Sequence, residues 1–166
     1  MIAQLLKALV RRRQNFTIEI QGAPYMTRHY LWPRTRDRDQ DARRTRFAVF
    51  LHEYHRCDAE RWLHDHPWSW AIGIPLVGGY TEERLAGFEL PGRKTVRHVR
   101  RWRLNVIRCR DFHRIAGVEP GTWTLFIHGP RVKRWGFLVE RDRALVWQLW
   151  NEYQEPGRTF TSARLP

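Results

Sequence analysis

The stretch "HDHPW", residues 64–68, places two histidines one residue apart and follows them with a proline. Alternate side chains of a β-strand share a face, so His64 and His66 are expected to point together while Asp65 points away. Two imidazoles placed in this way can reach one divalent ion at about 2.0–2.2 Å. Pro67 predicts a strand end or a bulge, because proline cannot donate to a sheet ladder. The pair alone also fits a polar sheet edge, and a third ligand must come from another strand.

A third histidine occurs in the strand-like stretch "RCRDFHRI", residues 108–115. Its alternation predicts Cys109, Asp111 and His113 on one face and mainly arginines on the other. If the arginine face is solvated, the opposite face looks inward, where polar groups need partners. A metal ion or a buried polar network would supply those partners.

The rest of the 166-residue chain consists mainly of short apolar stretches bounded by Gly, Pro or charged residues. Strand patterns such as 16–20, 47–54, 62–77 and 122–129, with turn signals at 78–80 and 119–121, predict an all-β sandwich or barrel. Apolar residues at helical spacing near the N-terminus predict a short amphipathic helix. We therefore expect a helix within residues 1–15, one β-domain over 16–155 and a C-terminal tail over 156–166.

Two longer motifs resemble those of the cupin superfamily. The stretch "LHDHPWSWAIGIPLVGGYTEE" (63–83) resembles the first cupin motif, with HxH on one strand and a glycine turn after a further strand. The stretch "FHRIAGVEPGTWTLFI" (112–127) resembles the second, in which a histidine, a turn and a returning apolar strand follow one another. With Gly129-Pro130 and the WGF stretch at 135–137, the chain is similar to small bacterial or phage-type cupins. The resemblance covers residues 47–138.

This resemblance implies a double-stranded β-helix, or jelly-roll barrel, with a metal held in its mouth by His64, His66 and His113. The usual first motif also has a glutamate four or five residues after its second histidine, where this chain has Trp70 and Ala71. The resemblance therefore implies a three-histidine site, similar to that of the thiol dioxygenases of the superfamily. The usual P-x-G-x-x-H lead-in to the second motif is absent too.

Several other residues are candidates for the pocket. The candidates for the pocket wall or a fourth ligand are His52, Glu82, Asp111, Cys109 and Tyr80, and Glu53 is a further substitute for the missing glutamate. Arg131 and Arg134 are candidates for binding a carboxylate or phosphate. Five of them have a structural alternative: His52 as a sheet histidine, Cys109 as a buried thiol, Tyr80 through turn packing, and Arg131 and Arg134 in a solvated turn.

The net charge of +13 comes almost wholly from arginine, since lysine occurs only at positions 7, 94 and 133. The planar guanidinium groups of arginine match carboxylates and phosphates. Residues 11–13 are a run of three arginines, and residues 97–103 combine arginine with tryptophan, a pattern typical of nucleic-acid binders. Replacement of lysine by arginine in a GC-rich genome explains the same composition. Two cysteines give no disulfide framework, and no apolar run approaches the roughly 20 residues that span a bilayer. We expect a cytoplasmic protein, with a homodimer as a reasonable assembly.

Two functional hypotheses follow. The first is a metal-dependent cupin enzyme, a mononuclear non-haem iron oxygenase acting on a small molecule, for which an anion is one option. Zinc or nickel in the same site would instead act as a Lewis acid and give an isomerase or lyase, and manganese is a further candidate. The second is a non-catalytic cupin-fold module whose arginine-rich surface binds nucleic acid or an acidic partner. The three histidines favour the first hypothesis, and the missing glutamate favours the second.

Overall fold

The structure is a computed structural model that describes residues 1–20, 22–33, 46–58, 62–89 and 92–152. The predicted tail 156–166 lies outside the described residues. The elements are α1 (Ile2–Val10), β1 (Asn15–Ile20), β2 (Ala23–Trp32), β3 (Ala48–Tyr54), β4 (Leu63–His64), β5 (Trp70–Val77), β6 (Tyr80–Gly87), β7 (Arg93–Val99), β8 (Asn105–Arg108), β9 (His113–Val118), β10 (Trp123–His128), β11 (Gly136–Arg141) and β12 (Ala144–Leu149). No helix among these residues is long and apolar enough to cross a membrane.

The strands form two six-stranded antiparallel sheets. The first sheet has the order β1-β2-β3-β10-β5-β8, and the second has the order β12-β11-β4-β9-β6-β7. Strands that follow one another in the chain often lie in different sheets, as β8 and β9 do, so the chain crosses repeatedly between the two layers. The all-β, cupin-like jelly-roll with a short N-terminal helix that the sequence predicted is confirmed.

The core lies between the two sheets and extends beneath the helix. One buried cluster joins Tyr25, Met26 and Tyr54 of the first sheet to Tyr80 and Ile115 of the second. Strand side chains alternate between the two faces of a sheet, and the opposite face of the first sheet carries apolar residues of its own, among them Leu51, Trp123 and Leu125.

The helix α1 covers that opposite face. Val10 packs there with Leu51 and Trp123, and Lys7 forms an ion pair with Glu53 at 3.5 Å.

The turn between β5 and β6 requires a glycine. Gly78 has a φ of +64°, and a side chain there would collide with Thr122. The Thr122 hydroxyl donates to the Gly79 carbonyl at 3.0 Å, which ties this turn to the one before β10. The glycine pair that the sequence identified as a turn signal thus sets the start of β6, and with it the positions of Tyr80 and Glu82.

The strand expected over residues 108–115 is wrong. β8 ends at Arg108 in the first sheet, and β9 begins at His113 in the second. Between them the Asp111 carboxylate accepts a hydrogen bond from the Arg108 backbone N–H at 2.8 Å, and the Asp111 N–H donates to the Arg108 carbonyl at 3.0 Å. Aspartate commonly stabilises turns in this way, so the polar alternation belongs to a turn and not to a strand.

The strand expected over residues 62–77 is also interrupted. β4 comprises only Leu63 and His64, and β5 starts at Trp70. Pro67 cannot donate to a ladder, but its carbonyl accepts from the Val132 N–H at 2.8 Å. The backbone at Pro67 therefore lies beside the segment that precedes β11, although it no longer belongs to a regular strand.

Candidate metal centre

The three predicted histidines come together because the second sheet pairs their strands. His64, the last residue of β4, lies opposite His113, the first residue of β9, and opposite Phe137 of β11. His66 lies two residues beyond His64, past the end of β4. The Asp65 N–H between them donates to the Gly136 carbonyl at 3.1 Å, so the backbone still runs beside β11 there. His64 and His66 can therefore face the same space although the regular strand has ended.

The ring nitrogens of these histidines converge. His64, His66 and His113, called here the histidine cluster, each offer one nitrogen within 4.8 Å of the others. The Nε2 atoms of His66 and His113 are 2.7 Å apart. Ring centroids are separated by 5.3 Å for His64 and His66, 5.0 Å for His64 and His113, and 4.9 Å for His66 and His113. This is a compact set of three imidazole ligands.

Glu82 fixes the orientation of His113 from behind. Its carboxylate, which is fully buried, accepts from His113 Nδ1 at 2.6 Å. A ring that donates its Nδ1–H to a carboxylate presents an unprotonated Nε2 on the other side, which is the tautomer that binds a metal. Arg84 and Asn105 also donate to Glu82, at 2.8 Å and 3.0 Å. Burial alone would raise the pKa of Glu82, but the hydrogen bonds and charges of His113 and Arg84 outweigh it and lower the pKa to about 2.

The other two cluster members have different supports. His64 Nδ1 lies 3.8 Å from the carboxylate of buried Asp58. His66 stacks on Trp68, with ring centroids 5.1 Å apart and ring planes 20° apart. Burial lowers the pKa of His66 well below 6.5, and the neighbouring His113 and His64 lower it further. His66 is therefore neutral near pH 7, as a metal ligand must be.

Asp65 is a structural residue that the sequence did not assign. It points away from its histidine neighbours, as expected, and is fully buried. Its carboxylate accepts from the Gly136 N–H at 2.8 Å, from Trp147 Nε1 at 3.1 Å and from Lys133. Buried carboxylates need such partners, and these join the segment between the two histidines to β11 and β12. The sequence did hold a signal for this role: Asp65 stands between His64 and His66, so its side chain must point to the side away from the histidines.

The histidine cluster lies on the wall of a cavity of about 530 Å³ between the sheets. Tyr80 and His52, both predicted as pocket residues, line it, and so does Arg131. Asn105 donates to the Tyr80 hydroxyl at 3.0 Å, and burial above all raises the pKa of Tyr80, so the phenol stays protonated. A volume of this size suits a small organic molecule.

The remaining predicted residues lie elsewhere. Glu82 supports His113 and is not turned toward the cavity, and Asp111 accepts from Arg84 at 3.3 Å in the turn before β9. Cys109 belongs to the same turn, and Glu53 lies beneath α1. Arg134 is exposed and is not among the residues that line the cavity. None of these residues joins the histidine cluster.

The sequence did not single out Arg28, which also lines the cavity. It lies on β2 opposite His52, and its Nε donates to His52 Nε2 at 3.1 Å. A signal existed in the sequence, because Met26 and Tyr30, two residues away on either side, are large apolar or aromatic residues, and both are buried. Period two then places Arg28 on a largely inward face, where a charged side chain requires an explanation.

Comparison with solved structures finds similarity to proteins of low sequence identity. An oxalate oxidase in complex with the substrate analogue glycolate is 16% identical with a TM-score of 0.43, over 56% of this chain and 46% of that one. Fe(II)-HppE with the alternative substrate (S)-1-HPP is 9% identical with a TM-score of 0.49, over 72% and 57%. KdgF from Halomonas sp. is 14% identical with a TM-score of 0.40, over 64% and 80%.

The chain thus spans about half the length of the first two proteins. No protein-family model matches the sequence, and no curated protein matches it. The likeness to these solved structures concerns the fold alone.

Proposed function

We propose that the protein is a metal-dependent enzyme that binds one divalent metal ion through His64, His66 and His113. The observation that carries this proposal is the convergence of three buried or half-buried imidazoles on one another at a cavity wall, with Glu82 behind His113. Two facing ring nitrogens at 2.7 Å can share one proton, and a divalent cation can replace that proton. The donor set therefore fits a transition metal.

Imidazole suits iron, zinc, copper and nickel, and iron is our first choice. His64, His66 and His113 would hold the ion as three neutral ligands. A ferrous ion in the site would supply redox chemistry with dioxygen, whereas zinc or nickel would supply Lewis acidity.

The chain's own residues would prepare the substrate. Trp68, Phe126 and Trp135 line the cavity and offer a substrate aromatic surfaces beside the cluster. The protonated phenol of Tyr80 can donate a hydrogen bond into the cavity while its oxygen accepts from Asn105. Glu82 keeps His113 in one tautomer, so its Nε2 faces the other two imidazoles throughout.

Elemental analysis of protein purified without a histidine tag tests the proposal. We expect about one equivalent of a transition metal, after anaerobic reconstitution with ferrous iron if necessary. The double variant His64→Ala/His66→Ala should lose it, and His128→Phe, which changes a buried histidine outside the cluster, should retain it. Absence of metal from the reconstituted native protein would refute the proposal.

A second candidate function is nucleic-acid binding by the turn between β7 and β8. Trp102 there is 58% exposed, and the Arg101 guanidinium lies 5.1 Å from its ring. Arg100 and Arg103 flank them and are exposed. Exposed aromatic rings stack on bases while arginines contact phosphates. Binding of a labelled single-stranded oligonucleotide should weaken steeply with salt and fall severalfold in Trp102→Ala; affinity unchanged in that variant would exclude this turn.

A further inference from the structure

The guanidinium of Arg28 is held in a defined position inside the cavity. Its Nε donates to His52 Nε2 at 3.1 Å, and its carbon atom lies 4.9 Å from the Phe50 ring centroid and 5.9 Å from that of Trp68. Aromatic faces attract a cation, so the two rings and the hydrogen bond together restrict the guanidinium plane.

The support for Arg28 is itself rigid. His52 is 2% exposed and stacks on Phe126, with ring centroids 4.7 Å apart. Burial lowers the pKa of His52 well below 6.5, and the charge of Arg28 lowers it further. A neutral His52 can accept from Arg28 through Nε2. The arginine is thus pre-organised, and binding a ligand there costs little side-chain entropy.

Arg28 is also adjacent to the histidine cluster. The guanidinium carbon lies 5.9 Å from the Trp68 ring centroid, and the His66 ring stacks on the same indole at 5.1 Å. The cationic group and a candidate metal ligand therefore share Trp68 as a neighbour. A small molecule held by Arg28 would have its other atoms close to the cluster.

The charges of the cavity favour an anion. Among the described residues that line it, Arg28 and Arg131 carry positive charge and Asp58 carries negative charge. Asp58 lies against His64, and a divalent ion on the cluster would make the cavity more positive still. Most other lining side chains are apolar or aromatic, among them Ile18, Met26, Ile107, Ile115 and Phe126.

We propose that Arg28 binds the carboxylate of a small organic acid whose apolar part fills the remainder of the cavity. The planar guanidinium fork matches a planar carboxylate, and a largely apolar wall matches an aliphatic or aromatic body. This inference rests on the proposed function in that it assigns the substrate class of the same site. Arg28 acts as a substrate-binding and specificity residue.

Calorimetric titration of the full chain after removal of metal by a chelator tests the inference. The probes are two matched pairs, phenylacetate with phenylacetamide and hexanoate with hexanamide. Without metal, a carboxylate cannot bind by direct ligation, so a failure of metal binding does not affect the result. We expect at least one acid to bind about tenfold more tightly than its amide, the ratio typical of one charge-assisted contact.

Variants then test whether the preference for the acid over its amide depends on Arg28. Arg28→Gln should remove it, Arg28→Lys should keep part of it, and Arg134→Gln, which changes an exposed arginine outside the cavity, should leave it unchanged. Equal binding of acid and amide by the native protein would overturn the inference, as would no saturable binding of either acid or a preference that survives in Arg28→Gln. The native comparison and Arg28→Lys keep the inference testable if Arg28→Gln does not fold.

Discussion

Three partly or fully buried histidines belong to the first sheet, and three more belong to the second sheet and the segment after β4, and the two sets differ in their contacts. The second sheet and the segment after β4 bring together His64, His66 and His113, whose nitrogens converge. The first sheet carries His29, His52 and His128, called here the stacked histidines, which lie against aromatic rings. Among the described residues, only the first set groups as metal ligands. Burial and number of histidines thus do not make a metal site; convergence of nitrogens does.

The stacked histidines behave as aromatic core residues. His29 stacks on Trp123 at 5.5 Å between ring centroids, and His128 stacks on Trp68 at 4.1 Å. His128 Nδ1 donates to the Gly129 carbonyl at 2.8 Å, which satisfies one nitrogen locally. Burial is the first cause that lowers the pKa of all three, so they are neutral at pH 7.

The largest expected effect separates the two sets by their response to metal. At a free metal concentration a thousand times Kd, binding to the folded state alone stabilises a protein by about 4 kcal/mol. We expect zinc or ferrous iron to raise the Tm of the native protein and of His128→Phe, but not of His113→Ala. Thermal melts with and without metal provide the measurement, and an equal rise in all three proteins would break the comparison.

The next effect concerns acid. Burial chiefly lowers the pKa of His128 from 6.5 to about 4, so protonation favours the unfolded chain. The contribution of neutral His128 to the free energy of unfolding is complete above pH 6.5. It is lost as the pH falls toward 4, and the loss is about 3 kcal/mol.

His128→Phe keeps a ring against Trp68 and cannot take up a proton. Urea unfolding of both proteins near pH 7 and near pH 4 should therefore show a smaller acid-induced loss in the variant. His29 and His52 remain in it, so part of the pH dependence persists. Identical losses in the two proteins would contradict the assignment of His128 to the neutral core.

The smallest of these effects is on metal affinity, and it concerns the glutamate that lies next to a histidine in each set. Glu82 accepts from His113 at 2.6 Å, whereas Glu53 lies 3.7 Å from His29 Nε2. Removing the carboxylate that supports a histidine ligand lowers metal affinity by about 10- to 100-fold. Competition with a chromogenic chelator should show this loss in Glu82→Gln and no change in Glu53→Gln. Equal affinities of the two variants would mean that Glu82 does not orient the site.

Much of the fold was predictable from the sequence because its signals are local. Period-two alternation located most strands, and the glycines at 78 and 79 and the EPG turn located two of the reversals. The turn at Cys109–Phe112 was missed because Asp111 continues an alternating pattern while its side chain closes a turn. Alternation reports which face a side chain takes, and it does not report whether the backbone remains in one sheet.

The three histidines of the candidate site could be predicted from the sequence, but the roles of the residues that support them could not. His64 and His66 were predicted from their spacing, and His113 from the resemblance to the second cupin motif, since the strand expected around His113 is wrong. The role of Glu82 depends on β6 pairing with β9, where Glu82 lies opposite Ile115 and Arg84 opposite His113. Such pairing between strands far apart in sequence is set by tertiary packing. The same holds for Asp65, whose partners Lys133, Gly136 and Trp147 lie far along the chain.

The two-residue strand β4 gives the second sheet a seam. On one side of it lie β11 and β12, and on the other lie β9, β6 and β7. Few backbone hydrogen bonds cross so short a strand, and the neighbouring side chains of His64 and Asp65 connect the halves instead, toward His113 and toward Gly136. A sheet built in this way can open as two cooperative units. An ion shared by His64, His66 and His113 would then cross-link the sheet at this point and couple the unfolding of one half to the unfolding of the other.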